Sequence, residues 1–160
     1  LHTNDAASSI TRLVDIGIDS YLIAASLNAV LAQRLVRKIC PKCKKKYKVP
    51  EKMQAYMKRA GIKGKNFYHG TGCEACRDSG YVGRVGIYEM LVIDDELRGM
   101  INKDSSVNNM RKVFQKSGSH SLFDDGLIKV NQGLTTIEEV LRVTEVYGIN
   151  ENEDFVENDK

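Results

Sequence analysis

The sequence contains no tryptophan, only two prolines and only four cysteines in 160 residues. No apolar run approaches the roughly 20 residues that a helix needs to cross a bilayer. The most apolar stretch, Tyr21 to Val36, is broken by Asn28, Gln33 and Arg34 and is expected to be buried structure. The first thirty residues offer no succession of basic start, apolar centre and cleavage site, so no secretory leader is expected. A chain opening Leu-His-Thr-Asn-Asp-Ala is read as a fragment of a longer product. With 42% hydrophobic and 28% charged residues, the composition is that of a globular chain, neither disordered nor membrane-embedded.

The net charge of +3 conceals a strong segregation. Between Arg34 and Lys65 stand thirteen Lys and Arg against one acid, Glu51, whereas Glu145 to Lys160 carries six acids and one Lys. Blocks of this kind mark separate modules or a tail. Residues 148–160 are acidic, with only Ile149, Phe155 and Val156 apolar and no helical period, and are expected to form a disordered tail. The basic block admits a nucleic-acid reading. Only Tyr47, Tyr56, Phe67 and Tyr68 interleave with it, however, without the stacking platform of RNA-binding modules. Lys42, Lys44, Lys45 and Lys46 instead neighbour Cys40 and Cys43, and cations beside thiols favour the ionised, metal-binding form. Nucleic acid is therefore not the expected partner. A stand-alone zinc module contacting nucleic acid or a protein through residues 34–65 is the alternative.

The cysteines form two pairs, Cys40-Pro-Lys-Cys43 and Cys73-Glu-Ala-Cys76, separated by twenty-nine residues. Each C-x-x-C is a short turn whose two thiolates converge, and two such turns supply a tetrahedral four-sulfur zinc site. The long interval requires folded structure to bring the second pair back. Met53, Tyr56, Met57 and Ala60 predict a helix within Pro50–Ala60, with Gly61 just past its end. Two disulfides would need an oxidising compartment, and a thioredoxin-like pair would leave the other C-x-x-C idle. A closed set of four thiolates has no open coordination position, so the expected role is structural. His69, four residues before Cys73, is expected to be an exposed loop residue and not a fifth ligand.

The elements around this module predict an α/β fold. Ile10, Leu13 and Val14 mark a helix capped by Ser8 or Ser9 and ended by Gly17, and a second helix runs from Asp19 or Ser20 to Ser26. Gln33 to Ile39 and Val82 to Ile93 read as strands of one sheet, with the zinc module inserted between them. Beyond Ile93, four short helices are expected. The first is capped by Asp94, the second is stopped by Gly118, and the third is stopped by Gly133. The fourth is opened by the capping box Thr136-Ile-Glu-Glu139. Asp124 and Asp125 read as a solvated helix start. No G-x-x-x-x-G-K-[ST] occurs, and Gly61-Ile-Lys-Gly64-Lys65-Asn66 is short by two spacers and lacks the magnesium-binding hydroxyl.

Several segments resemble one family. They are Leu1 to Ala6, Ile10-Thr-Arg-Leu-Val-Asp15, Val30 to Arg37 followed by Cys40-Pro-Lys-Cys43, Cys73-Glu-Ala-Cys76, Gly80 to Glu89, and Gly133 to Glu139. In order and spacing they are similar to the hexameric secretion ATPases, the assembly motors of bacterial type II secretion systems and type IV pili. The tetracysteine insertion resembles the assembly and secretion branch, since retraction motors generally lack it. The resemblance implies that residues 1–39 and 81–93 end a RecA-like nucleotide domain. It likewise makes 40–80 a zinc module and 94–147 a helical C-terminal subdomain. It implies that His2 matches a histidine box facing the γ-phosphate, and that Arg84 and Arg12 match arginines that clamp phosphate or fix subunit contacts. ATP and Mg2+ would belong to the full-length parent, and this chain alone is expected to be inactive. The implied partners are identical subunits in a hexameric ring and an inner-membrane platform protein, and the implied location is cytoplasmic, peripheral at the inner face of the membrane. The glycine that often follows the second cysteine of a zinc knuckle is replaced by Lys44 and Arg77, which predicts less regular turns.

Overall fold

A computed structural model describes residues 3–48, 54, 67–103 and 106–145. The helix expected within Pro50–Ala60 and the acidic tail expected over 148–160 lie outside the described residues. Helix α1 (Ala6–Asp15) starts where Asp5, in extended backbone, accepts the Ser8 N–H at 2.7 Å. The cap is thus Asp5 and not Ser8 or Ser9. The Ser9 hydroxyl is turned back onto the Asp5 carbonyl and Thr3. Gly17, at φ +92°, follows the helix end as expected. Helix α2 (Ser20–Ser26) comes next.

Strand β1 (Ala29–Ile39) is longer than the sequence predicts. The chain then forms β2 (Lys44–Tyr47), β3 (Phe67–Gly70) and a 3-10 turn over Glu74–Cys76 before β4 (Tyr81–Val92). Strands β1 and β4 pair antiparallel from Ala29 opposite Val92 to Arg37 opposite Arg84, with an irregularity between Arg37 and Ile39. Both cysteine pairs therefore lie on the excursion between two neighbouring strands of one sheet. Strands β2 and β3 make a second small antiparallel sheet within that excursion.

Four helices follow: α3 (Asp95–Lys103), α4 (Val107–Lys116), α5 (Leu122–Asn131) and α6 (Ile137–Val143). The Asp94 carboxylate accepts the Leu97 N–H at 2.9 Å, and Thr136 accepts from the Glu139 N–H. A complete capping box forms at α5, where Ser121 and Asp124 satisfy each other's N–H groups. Asp125 accepts from the Tyr88 N–H and pairs with Lys129. Asp124 and Asp125 are thus part-buried, bonded groups and not a solvated start.

The helices divide between separate cores. Ile10 of α1, Ile23 of α2, Leu97 and Ile101 of α3, and Met110 and Phe114 of α4 enclose Leu91 and Ile93. Phe123, Leu127 and Val130 of α5 meet Ile137 and Val140 of α6 over Phe67 of β3, and Leu122 joins Val36 and Ile87 of the long sheet. That sheet is covered on one face only among the described residues. Alternation along β4 buries Ile87, Glu89 and Leu91 and turns Tyr88, Met90 and Val92 outward. Leu31 is 62% exposed and Leu35 47%, as are Tyr21 and Leu22 of α2 at 61% and 47%. Within Tyr21 to Val36, expected to be buried, only Ile23, Ala24 and Val36 are buried, and the inward β1 residues Val30, Ala32 and Arg34 are half-buried. No helix among the described residues is long and apolar enough to cross a membrane.

Candidate metal centre

The two knuckles are built by hydrogen bonds that turn the backbone around each thiol. At the first, the Cys43 N–H donates to the Cys40 carbonyl, and Thr71 and Gly80 pin its ends through bonds to the Cys43 carbonyl and from the Cys40 N–H. At the second, the Cys76 and Asp78 N–H groups both donate to the Cys73 carbonyl, and Ser79 bonds the Cys76 carbonyl through backbone and hydroxyl. Arg77 adopts φ 51° and ψ 47°, the left-handed conformation in which glycine is free of strain. A side-chain-bearing residue thus occupies that position, and Asp78 after it is also at positive φ, 59°. Lys44 instead starts β2.

The excursion returns because Gly70 and Gly80 pass in direct backbone contact. A Cβ on Gly70 would lie 2.0 Å from the Gly80 carbonyl oxygen, and Gly80 itself sits at φ +75°. These glycines, with Gly72 at φ +90° facing Asp78, are positions that shape the site and that a reading of the cysteines alone misses. Their signal lies in the sequence as Gly70-Thr-Gly72 just before Cys73 and Gly80 four residues after Cys76.

The result is four free thiols whose Sγ atoms all lie within 4.8 Å of one another. Cys40–Cys73 and Cys43–Cys76 are each 3.9 Å apart and Cys73–Cys76 is 3.6 Å. Sulfurs at the corners of a tetrahedron about 2.3 Å from a central zinc stand about 3.8 Å apart. A disulfide would need about 2.05 Å. The cluster can hold a metal ion, and its geometry fits a four-thiolate site. Cys40, Cys43 and Cys76 are buried and Cys73 is partly exposed. Burial pushes the Cys43 thiol up to about 11, with the neighbouring sulfurs adding to it. At Cys76 burial acts in the same direction but is outweighed by N–H donors from Gly80 and Cys73, which bring it down to about 7. The groups that favour the Cys76 thiolate are therefore backbone amides and neighbouring thiols.

His69 does not join this group. It lies in β3, half-buried, with its ring 5.0 Å from that of Tyr47, and so is not the exposed loop residue the sequence predicts. Arg12 lies exposed in the last turn of α1, and Arg84 lies exposed on β4 opposite Arg37, beside Gly83 at φ +70°. His2 lies outside the described residues. Among the described residues, the basic side chains of this stretch do not form a single surface. Lys44, Lys45 and Lys46 are exposed on β2, but Arg34 reaches the Thr3 carbonyl and Arg37 pairs with Glu139 at 2.6 Å.

Residues 1–142 match the family described as Type II/IV secretion system protein. The Type II secretion system protein E of Pseudomonas aeruginosa is 46% identical over 144 residues, which cover 90% of this chain and 28% of that protein. The Type IV pilus assembly ATPase PilB of Thermus thermophilus is 45% identical over 146 residues, covering 90% and 16%. The Type II secretion system ATPase E of Vibrio cholerae is 44% identical over 144 residues, covering 90% and 28%. The chain thus spans less than a third of the length of these curated relatives.

Proposed function

We propose, from a chain that belongs to the Type II/IV secretion system protein family, that it forms the C-terminal part of a hexameric motor ATPase powering type II secretion or type IV pilus assembly. The observation that carries this reading is the match over residues 1–142, joined in the same chain to four sulfurs at tetrahedral spacing. In this reading residues 1–39 and 81–93 end the RecA-like domain, 40–80 form the zinc module, 94–147 the helical subdomain and 148–160 an acidic tail. Nucleotide and Mg2+ are held by the parent protein. His2 faces the γ-phosphate, and Arg84 and Arg12 clamp phosphate or fix contacts between identical subunits. The motor works in the cytoplasm at the inner face of the membrane, where it moves a membrane-embedded platform protein.

Cys40, Cys43, Cys73 and Cys76 would hold a structural Zn2+. Four protein sulfurs leave no position for water or substrate, so the ion would supply folding energy and not chemistry. Binding of order 10 kcal/mol is enough to decide whether so small a module folds. A chelator is therefore expected to release β2 and β3, while the strands β1 and β4 keep their pairing. Unchanged amide resonances in Lys44–Tyr47 and Phe67–Gly70 after zinc removal would overturn the structural role.

The motor reading is tested on the gene product that contains this chain, purified whole. It is expected to hydrolyse ATP, to carry one zinc per protomer and to lose most of its hydrolysis in the Arg84→Ala variant. A whole product without ATPase activity would overturn the motor, and a whole product without stoichiometric zinc would overturn the metal.

A further inference from the structure

Glu89 is a buried carboxylate on the inner face of β4, only 5% exposed. Its two oxygens serve two different helices. Oε1 accepts the N–H of Ala6, the first residue of α1, at 2.9 Å. Oε2 accepts the N–H of Leu122, the first residue of α5, at 3.1 Å. Both are helix-starting amides with no partner inside their own helix, at the ends where the helix dipole favours negative charge. The two helices also belong to different cores, α1 to the one around Leu91 and α5 to the one against α6.

The residues just before Ala6 are held with equal care. Asp5 caps α1 and pairs with Arg111 of α4 at 2.6 Å. The Thr3 hydroxyl meets that of Ser9 at 2.7 Å, and its carbonyl accepts from Arg34 of β1. Thr3 to Ala6 is therefore a strap gripped from β1, β4 and α4, and His2 precedes it in the sequence. A glutamine at position 89 could accept only one of the two amides, and an apolar residue neither.

We propose that Glu89 is a positioning residue that couples the strap Thr3–Ala6, directly behind His2, to helix α5. The coupling itself is a property of this chain, and its use in the motor rests on the reading of His2 given above. A displacement of the strap moves the Ala6 amide, and through one carboxylate it moves the amide that starts α5. The link is direct because the carboxylate is enclosed and each of its oxygens holds one of the two amides.

Amide hydrogen exchange followed by NMR in the 160-residue chain tests this. Glu89→Gln is expected to raise exchange at Ala6 or Leu122 by about tenfold, as for loss of a bond to a charged acceptor. Asp5→Asn, which loosens the strap, is expected to speed exchange in the first turn of α5 in the native background and to add nothing in the Glu89→Gln background. An α5 indifferent to Asp5→Asn overturns the proposal. Should Glu89→Gln fail to fold, the native chain still decides. The Ala6 and Leu122 amide protons are expected to follow one titration with one midpoint, set among Glu89, Asp5 and Arg111, and two separate midpoints overturn it. In the whole protein, Glu89→Gln is expected to lower kcat for ATP with KM unchanged. Coupling in the chain without ATPase in the whole protein counts against the motor reading alone. ATPase in the whole protein without coupling in the chain counts against Glu89 alone.

Discussion

Replacing Glu139 by Gln removes a charge on which two elements converge. The carboxylate is 3% exposed, and Arg37 of β1 donates to it through both backbone N–H and guanidinium, at 3.0 and 2.6 Å. Arg142, one turn on in α6, donates through two nitrogens at 3.1 and 3.0 Å. Burial alone would raise the proton affinity of this carboxyl, but hydrogen bonds from Arg37 and Arg142 overcome it and hold Glu139 down to about 2. Against an ordinary glutamate at 4.5, the full linkage would be about 3.4 kcal/mol at 1.36 kcal/mol per unit. Arg37 and Arg142 are 48% and 55% exposed, so solvent screening reduces the expected contribution to roughly 1–2 kcal/mol. A carboxyl depressed on folding stabilises above its unfolded value and loses that stabilisation as pH falls toward its folded one. Urea unfolding of native chain and Glu139→Gln is therefore expected to differ by about 1–2 kcal/mol at pH 7, and the gap should close between about pH 4.5 and 2. Taking the difference between the two chains removes Glu89, whose burial shifts it the opposite way and which makes the native chain alone a poor reporter. A gap that stays constant from pH 7 to pH 3 would refute the ionic account and leave only packing.

Other substitutions test the turn and packing arguments. Arg77→Gly relieves a left-handed residue at a cost in unfolded-chain entropy, so unfolding of the metal-loaded chain should show stabilisation of up to about 1 kcal/mol, and a loss would refute the strain. Gly70→Ala must push apart two backbones that now touch, and is expected to weaken zinc retention in a chelator competition by tenfold or more, while retention equal to native would refute the close approach. Gly126→Ala places a methyl 2.5 Å from Val140 Cγ1, and thermal unfolding should report destabilisation of about 1–3 kcal/mol by overpacking between α5 and α6.

What the sequence makes legible here is what repeats locally. Cys40-x-x-Cys43 and Cys73-x-x-Cys76 specify converging thiols because each turn spans four residues, and Asp94 and Thr136 specify caps because the amide they bind is three residues on. The α/β character and the excursion between two strands follow from β-branched runs on either side of the cysteines. The long-range partners of isolated polar residues left no such trace. Glu139 reads as the fourth member of a capping box, yet its carboxylate is taken by Arg37, 102 residues away, and the cap is only half made. Glu89 reads as one charge in a strand of alternating character, and nothing local to it announces that Ala6 and Leu122 end at the same two oxygens.

The same distinction explains the error over Tyr21 to Val36. Hydrophobicity predicts that a residue is to be covered, but not by what. On β1 the inward side chain Val36 finds Ile87 and Leu122, while Leu31 and Leu35 point from the other face, where the described residues place no helix. A strand with apolar residues on both faces is the pattern of a sheet buried on both sides. Among the described residues only one of those sides is covered. The helices α1 and α5 thus both pack on the face of the sheet that carries Ile87, Glu89 and Leu91. Glu89, pointing into that face, is positioned to feel both the strap at Thr3–Ala6 and the start of α5.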